Sequence, residues 1–378
     1  MNAREERRAR EEEVLQLFTG LLPAGCAVSA LGDFGEELLL RIETDRGNVP
    51  EAVEADISER LTQAGMSVSW LRKSASTYAR IRTPRSGRTP WVNIVMFSLT
   101  CLSVFFVPQY SQYAMQVALA QNAIPLGPID WLLTPSAWLI EWGASFTFWL
   151  LFILLAHEFG HYIAGRRRKL RLSLPFFIPF PSLIGTMGAV ILFRSAIENR
   201  RDLIEIGAAG PIAGFLVALV AIAVGLSQTD TLAPGTFAMR GESLMMTIMA
   251  NVFLGDLPSN HFFDLHPAAF AGWVGLLITA LNLLPLGQLD GGHIVFGLFG
   301  KRQHLVSKFA LAALVVAGYF WPAWWLYGAL ALVFGPFHGP TLDDAAPLTR
   351  TARAMGYTSL VIFILSVTLA PLGDVNWF

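Results

Sequence analysis

His157, Glu158 and His161 stand in "LLAHEFGHYIAG", near the end of an apolar run that starts around Ala137. A charged or strongly polar side chain near a bilayer core costs about 2.5–3.5 kcal/mol on insertion scales, so such residues call for a chemical return. Residues four apart project from one face of a helix, which lets His157 and His161 reach a single metal ion together. Glu158 is then placed to hold a water as general base, the arrangement that H-E-x-x-H gives a zinc site. The bland alternative is two core histidines with a stray glutamate. It is the poorer reading, because unpaired polar groups in such a run have no cheap partners.

A catalytic zinc takes three protein ligands and leaves one position open for water. Asp290, in "ALNLLPLGQLDGGHIVFG", is the sole acid between Asp264 and Asp343, which makes it the candidate third ligand. Pro285 precedes it, and Gly287, Gly291 and Gly292 flank it, so a helix there is expected to kink or open. Irregular backbone at membrane depth is tolerated only where it packs in protein or lines a wet cavity.

The elements that must carry these residues follow from composition and hydropathy. The 378 residues are 54% hydrophobic and 15% charged, with a mean hydropathy of +0.50. Soluble domains carry about 25% charged residues, so the chain reads as a polytopic membrane protein. Runs near 91–108, 137–164, 203–226, 267–298, 306–320, 323–336 and 355–371 are candidate crossings, each judged against the ~20 apolar residues a span needs. The fifth and sixth are short enough to form a hairpin around "FWPAWW", whose tryptophans suit a bilayer interface. Basic clusters at Arg80–Arg88, Arg166–Lys169, Arg200–Arg201, Lys301–Arg302 and Arg350–Arg353 all fall on one side if the N-terminus is cytoplasmic. His161 and Asp290 then lie at similar depth, each followed by a basic cluster.

Residues 1–88 read as a small soluble α+β module. Strands are expected at "CAVSALG", "EELLLRIET", "SVSWLRK" and "TYARIRT". A helix is expected over "NVPEAVEADISERLTQAG", with Asn48 as a cap, Pro50 in its first turn and Gly65 as its stop. The expected fold class is thus an all-α polytopic membrane bundle of about six to seven spans with a small N-terminal cytoplasmic α+β domain. Its expected division is 1–88 soluble and 89–373 transmembrane, with a core over 137–300. The N-terminus is too charged for a secretory signal peptide, and its acids argue against a transit peptide. The expected setting is therefore a prokaryotic cytoplasmic membrane with residues 1–88 in the cytoplasm. A net charge of −1 and the lack of a basic tract with interleaved aromatics argue against nucleic acid as a partner. Cys26 and Cys101 lie in unlike regions and suggest no disulfide framework.

"HEFGH" on one span and "NLLPLGQLDGG" on a later one resemble the site-2 protease family of intramembrane zinc metalloproteases. The resemblance extends to "GAAGPIAG" and "IGTMGAVI" and covers roughly residues 137–300. It implies Zn2+ held by His157, His161 and Asp290, with Glu158 as catalytic base and Asn282 orienting substrate or the developing oxyanion. It also implies single-pass membrane proteins as substrates, cut within or near their spans in the lipid bilayer. Two other classes remain: a metal transporter or sensor using the same histidines, and an inactive scaffold.

The remaining polar residues divide more simply. His293 reads equally as a support for a ligand or as a cap, and His261, His266, His304 and His338 read as bystanders. Glu198 and Glu205 read as charges at the start of the third span. Gly207, Gly210 and Gly214 have the small-x-x-small spacing that lets helices approach closely. "PFFIPFPSLIGTMGAVILF" is too proline-rich for a plain helix, and its "GAVILF" part is expected as a strand edge that could pair with substrate backbone.

Overall fold

The computed structural model describes residues 12, 14–22, 26–33, 37–44, 49–73, 76–82, 90–119, 137–181, 184–238, 243–255 and 262–368. The N-terminal part is a helix over 14–21 (α1), strands β1 (Cys26–Asp33) and β2 (Glu37–Thr44), helix α2 (Glu51–Gln63), and strands β3 (Ser67–Lys73) and β4 (Ser76–Arg82). The four strands form one antiparallel sheet in the order β1-β2-β4-β3. Leu38, Leu40 and Ile42 alternate along β2 and meet Val14 and Phe18 of α1, Ile57 and Leu61 of α2, and Ile81 of β4 in one buried cluster. The opposite face of β2 carries Glu37, which Arg80 and Arg82 of β4 pair with at 3.1 Å each. Pro50, rather than Asn48, occupies the N-cap of α2; Asn48 itself lies outside the described residues. Gly65 ends the α2 segment in a left-handed turn at φ +73°.

The remaining described residues are mainly helical, with two small two-stranded sheets, β5–β6 and β7–β8. They run α3 (Trp91–Leu119), α4 (Ala137–Arg167), β5 (Phe176–Pro179), β6 (Thr186–Val190) and α5 (Arg200–Leu226). Strand β7 (Asp230–Ala238), α6 (Leu244–Leu254), β8 (Phe262–Asp264), α7 (Pro267–Asn282), α8 (Asp290–Phe299), α9 (Gln303–Ala317), α10 (Ala323–Phe334) and α11 (Arg350–Ser366) follow. Among the described residues, three helices are long and apolar enough to cross a membrane: Trp91–Tyr110 within α3, Ile140–Arg167 within α4, and α5. Helices α9 and α10 form the hairpin expected around "FWPAWW".

The candidate crossing 267–298 opens, as its proline and glycines led one to expect, into two helices: α7 stops at Asn282 and α8 restarts at Asp290. The 227–266 segment, which falls outside the candidate crossings, contains helix α6, capped by Ser243, whose hydroxyl accepts from the Met246 N–H at 3.3 Å. Its apolar residues show no polar alternation across the helix, which hid it from a pattern search.

The core sits where α4, α5 and α7 cross, with Phe146, Leu150, Ile153, Ala218, Ile222 and Val274 all buried there. The helices approach closely because small residues line the crossings: a Cβ on Gly160 would overlap the Ala209 carbonyl, and one on Gly225 would overlap Ala269. The hairpin β5–β6 is antiparallel and lies against α3. There the Asn93 amide donates to the carbonyls of Leu174 at 3.1 Å and Pro175 at 2.9 Å. Arg80 of the N-terminal sheet reaches Glu198, just ahead of α5, at 3.0 Å.

Candidate metal centre

Helix α4 presents His157, Glu158 and His161 on consecutive turns, all buried. The His161 Nδ1–H donates to the Ile206 carbonyl of α5 at 2.8 Å. A carbonyl only accepts, so in the neutral ring the Nε2 lone pair is turned inward. Nε2 of His161 lies 3.1 Å from Nε2 of His157. Asp290, the first residue of α8, brings Oδ2 to 3.2 Å from the His157 nitrogen and 3.3 Å from the His161 nitrogen.

These three atoms form a nearly equilateral triangle. A tetrahedral zinc with bonds of about 2.0–2.1 Å separates its ligand atoms by about 3.3 Å, so the spacing fits a single ion. The chemistry agrees. Three electron-pair donors crowd together, with too few protons among them to satisfy each other, and a cation is the partner such a set suits. Among the described residues this is the single group of three or more histidines, cysteines or acids with that convergence.

Room for the imidazoles comes from α5. A Cβ on Gly210 would overlap Nε2 of His161, and one on Gly214 would come within 3.1 Å of the His157 Cβ. Gly210 therefore does more than admit a neighbouring helix, the role its spacing alone had suggested. It forms the back wall of the metal site. Gly207, by contrast, lies against the Cβ of His293 at 3.2 Å.

The centre opens into a cleft of about 180 Å3, lined by Glu158, Asn282, Gln288 and His293 and by Ala189–Ile191 at the end of β6. The Asn282 amide nitrogen sits 3.5 Å from Nε2 of His157, at the limit of a hydrogen bond, and faces the same space. His293 makes no hydrogen bond to Asp290 among the described residues. Its ring instead meets that of His338 edge-on at 4.9 Å, and its Nδ1 is buried without a partner among them.

The acids that could have competed for the metal are engaged elsewhere. Glu198 pairs with Arg80, and Glu205 with Arg168 beyond the end of α4. His304 donates to or accepts from no group in the triangle; its Nε2–H reaches the His338 carbonyl at 3.2 Å. His266 caps α7, its Nδ1 accepting from the Ala268 N–H at 3.2 Å. His261 lies outside the described residues.

Fold and site together define a helical protein with membrane-length helices and a buried centre of two histidines and one aspartate beside a glutamate. Residues 145–321 match the family described as Peptidase family M50. The chain is 33% identical over 244 residues to "Probable zinc metalloprotease EGY1, chloroplastic" of Arabidopsis thaliana, covering 60% of this chain and 42% of the relative. It is 30% identical over 316 residues to the protein of the same name from Oryza sativa subsp. japonica, covering 76% and 52%. "Probable zinc metalloprotease EGY2, chloroplastic" of Arabidopsis thaliana is 31% identical over 228 residues, covering 57% and 39%. The chain thus spans about half or less of the length of these relatives. No solved structure matches.

Proposed function

We propose that this chain is a zinc metalloprotease that hydrolyses peptide bonds within or near the spans of membrane proteins. The observation that carries the reading is the convergence of His157, His161 and Asp290 at 3.1–3.3 Å beside a buried glutamate. The family match over 145–321 and the zinc metalloprotease names of the relatives support it. His157, His161 and Asp290 would hold the zinc. When bound, the ion supplies a Lewis acid that polarises a carbonyl and lowers the pKa of water toward about 7.

The chain's own residues do the rest. Glu158 follows His157 directly and faces the cleft, so its carboxylate takes the proton of the attacking water and returns it to the departing amine. The Asn282 side-chain N–H donates to the scissile carbonyl oxygen as negative charge builds there. Ala189, Val190 and Ile191 border the cleft at the end of β6, the strand that β5 covers on one side. A substrate helix hides its carbonyls in its own hydrogen bonds and must be unwound before cleavage. Pairing of the opened segment along the edge of β6 holds it extended across Glu158.

In this reading residues 1–88 and the centre lie on the cytoplasmic side of a six- to seven-span bundle and the substrates are single-pass proteins; the one-sided distribution of the basic clusters supports that orientation. Glu158→Gln tests the reading: it should keep zinc and lose cleavage of a co-expressed membrane substrate. Retained cleavage would remove Glu158 from the reaction. Val190→Pro, which removes an N–H from β6 and disturbs the strand that borders the cleft, should lower cleavage at least tenfold and leave zinc content at wild type. Unchanged cleavage would discard the strand-pairing step. Transport is the other class that such histidines serve. It favours ionisable groups strung across the bilayer, whereas one convergent group stands among the described residues. Zinc uptake by vesicles carrying the Glu158→Gln variant would favour that reading instead.

A further inference from the structure

Asp290 stands at the start of α8, directly after the irregular residues 283–289. That stretch holds little of itself. Its own backbone bonds run from the Leu286 N–H to the Leu284 carbonyl at 2.7 Å and from the Leu289 N–H to the Leu286 carbonyl at 3.0 Å. The Leu283 and Leu284 N–H groups still bond back to Thr279 and Leu281 of α7, and the His293 N–H of α8 bonds to the Leu289 carbonyl; the ties to the middle of the stretch come from far along the chain. The Ser307 hydroxyl of α9 donates to the Pro285 carbonyl at 2.6 Å. The Gly287 N–H donates to the Pro336 carbonyl at 2.8 Å. Gly287 has φ +43°, and a Cβ there would overlap the Gly335 carbonyl, so the segment 335–339 lies hard against the loop.

Gln303 ties these contacts together. Its amide N–H groups donate to the Ser307 hydroxyl at 2.7 Å and to the Pro336 carbonyl at 3.3 Å, and its amide oxygen accepts from the His338 N–H at 3.1 Å. Gln303 and Ser307 are both 0% exposed. A buried amide in an apolar helix is costly unless its donors and acceptor are met, and here they are. The pair sits at i and i+4 on the face of α9 that looks toward the aspartate loop.

We propose that Gln303 and Ser307, acting through Pro285 and the 335–339 segment, are positioning residues that set zinc affinity by fixing where Asp290 stands. Zinc binding rests on the function proposed above; the positioning claim goes beyond it. The carboxylate must hold 3.2–3.3 Å from two imidazole nitrogens at once. A loop free to shift by an ångström loses that geometry. Removing supports behind metal ligands typically costs 10–100-fold in metal affinity.

The test is the zinc dissociation constant of the purified full-length chain in detergent, measured with zinc alone against a chelator of known affinity. Ser307→Ala deletes one oxygen and Gln303→Leu removes the amide at similar size. Each should raise the zinc Kd about tenfold or more. Thr279→Val, which removes an equally buried hydroxyl bonded only within its own helix, should leave the Kd at wild type. The decisive arm is a double-mutant cycle: in an Asp290→Ala background, Ser307→Ala should raise the Kd no further. A general loss of packing would lower the thermal midpoint but not reproduce this cancellation. If Gln303→Leu fails to fold, Ser307→Ala and its cycle decide alone.

A wild-type Kd in folded Ser307→Ala, or an effect that persists without Asp290, would overturn the positioning role while leaving the protease reading intact. A wild-type chain that binds no zinc would overturn both. Zinc bound as expected with cleavage surviving Glu158→Gln would overturn the catalytic reading only.

Discussion

Helix α4 delivers His157 and His161 by its own periodicity, whereas Asp290 arrives on a broken helix held by groups up to 48 positions away, the last being His338. The histidine half needs one long helix and a glycine wall on α5. Everything that sets it, apart from that wall and the Ile206 carbonyl, lies within four residues. The aspartate half needs Pro285, Gly287, Gln303, Ser307 and the 335–339 segment together. The difference separates geometry that a local pattern dictates from geometry that only tertiary structure supplies. A metal site built from both kinds can fail in two ways: by losing room for a ligand or by losing the place where a ligand stands.

Gly210→Ala should break the histidine half outright. A methyl there competes for the space of the His161 ring, and the gain in helix propensity, about 1 kcal/mol, does not offset a displaced ligand. Zinc content by elemental analysis should fall to background, and full occupancy would show that the wall yields. Gly287→Ala should break the aspartate half less completely. It forces a side chain into a left-handed backbone conformation, a cost of about 1–3 kcal/mol, and presses on Gly335. Zinc should weaken about as much as in Ser307→Ala, and a wild-type Kd would separate the loop from the metal. Thr349→Ala removes the N-cap of α11, whose hydroxyl accepts from the Ala352 N–H at 3.1 Å. It should cost about 1 kcal/mol in stability and leave zinc affinity unchanged, since α11 contributes to neither half.

The H-E-x-x-H spacing was legible because helical periodicity is a property of the local sequence, and the break near Asp290 because proline and glycine announce it. The four strands and α2 of the N-terminal sheet were also legible, since alternation along β2 and turn residues at its ends are local signals. Gly210 was visible but underread: its spacing spoke of helix contact, and nothing in one dimension says which side chain fills the vacated volume. Gln303, Ser307 and Pro336 carried no signal at all. A glutamine and a serine in an apolar helix read as minor blemishes until the chain folds back on the carbonyls they meet. Helix α6 escaped for the opposite reason, being too uniformly apolar to show a face.

The family match stops at residue 321, fourteen positions short of Gly335. A fragment trimmed to that border would keep both histidines, the glutamate, the asparagine and the aspartate, and would look intact to any motif search. It would have lost Pro336 and His338, the backbone partners of Gly287 and Gln303. The smallest piece that behaves as this protein is therefore set by where its hydrogen bonds end, some way beyond where its recognisable letters do.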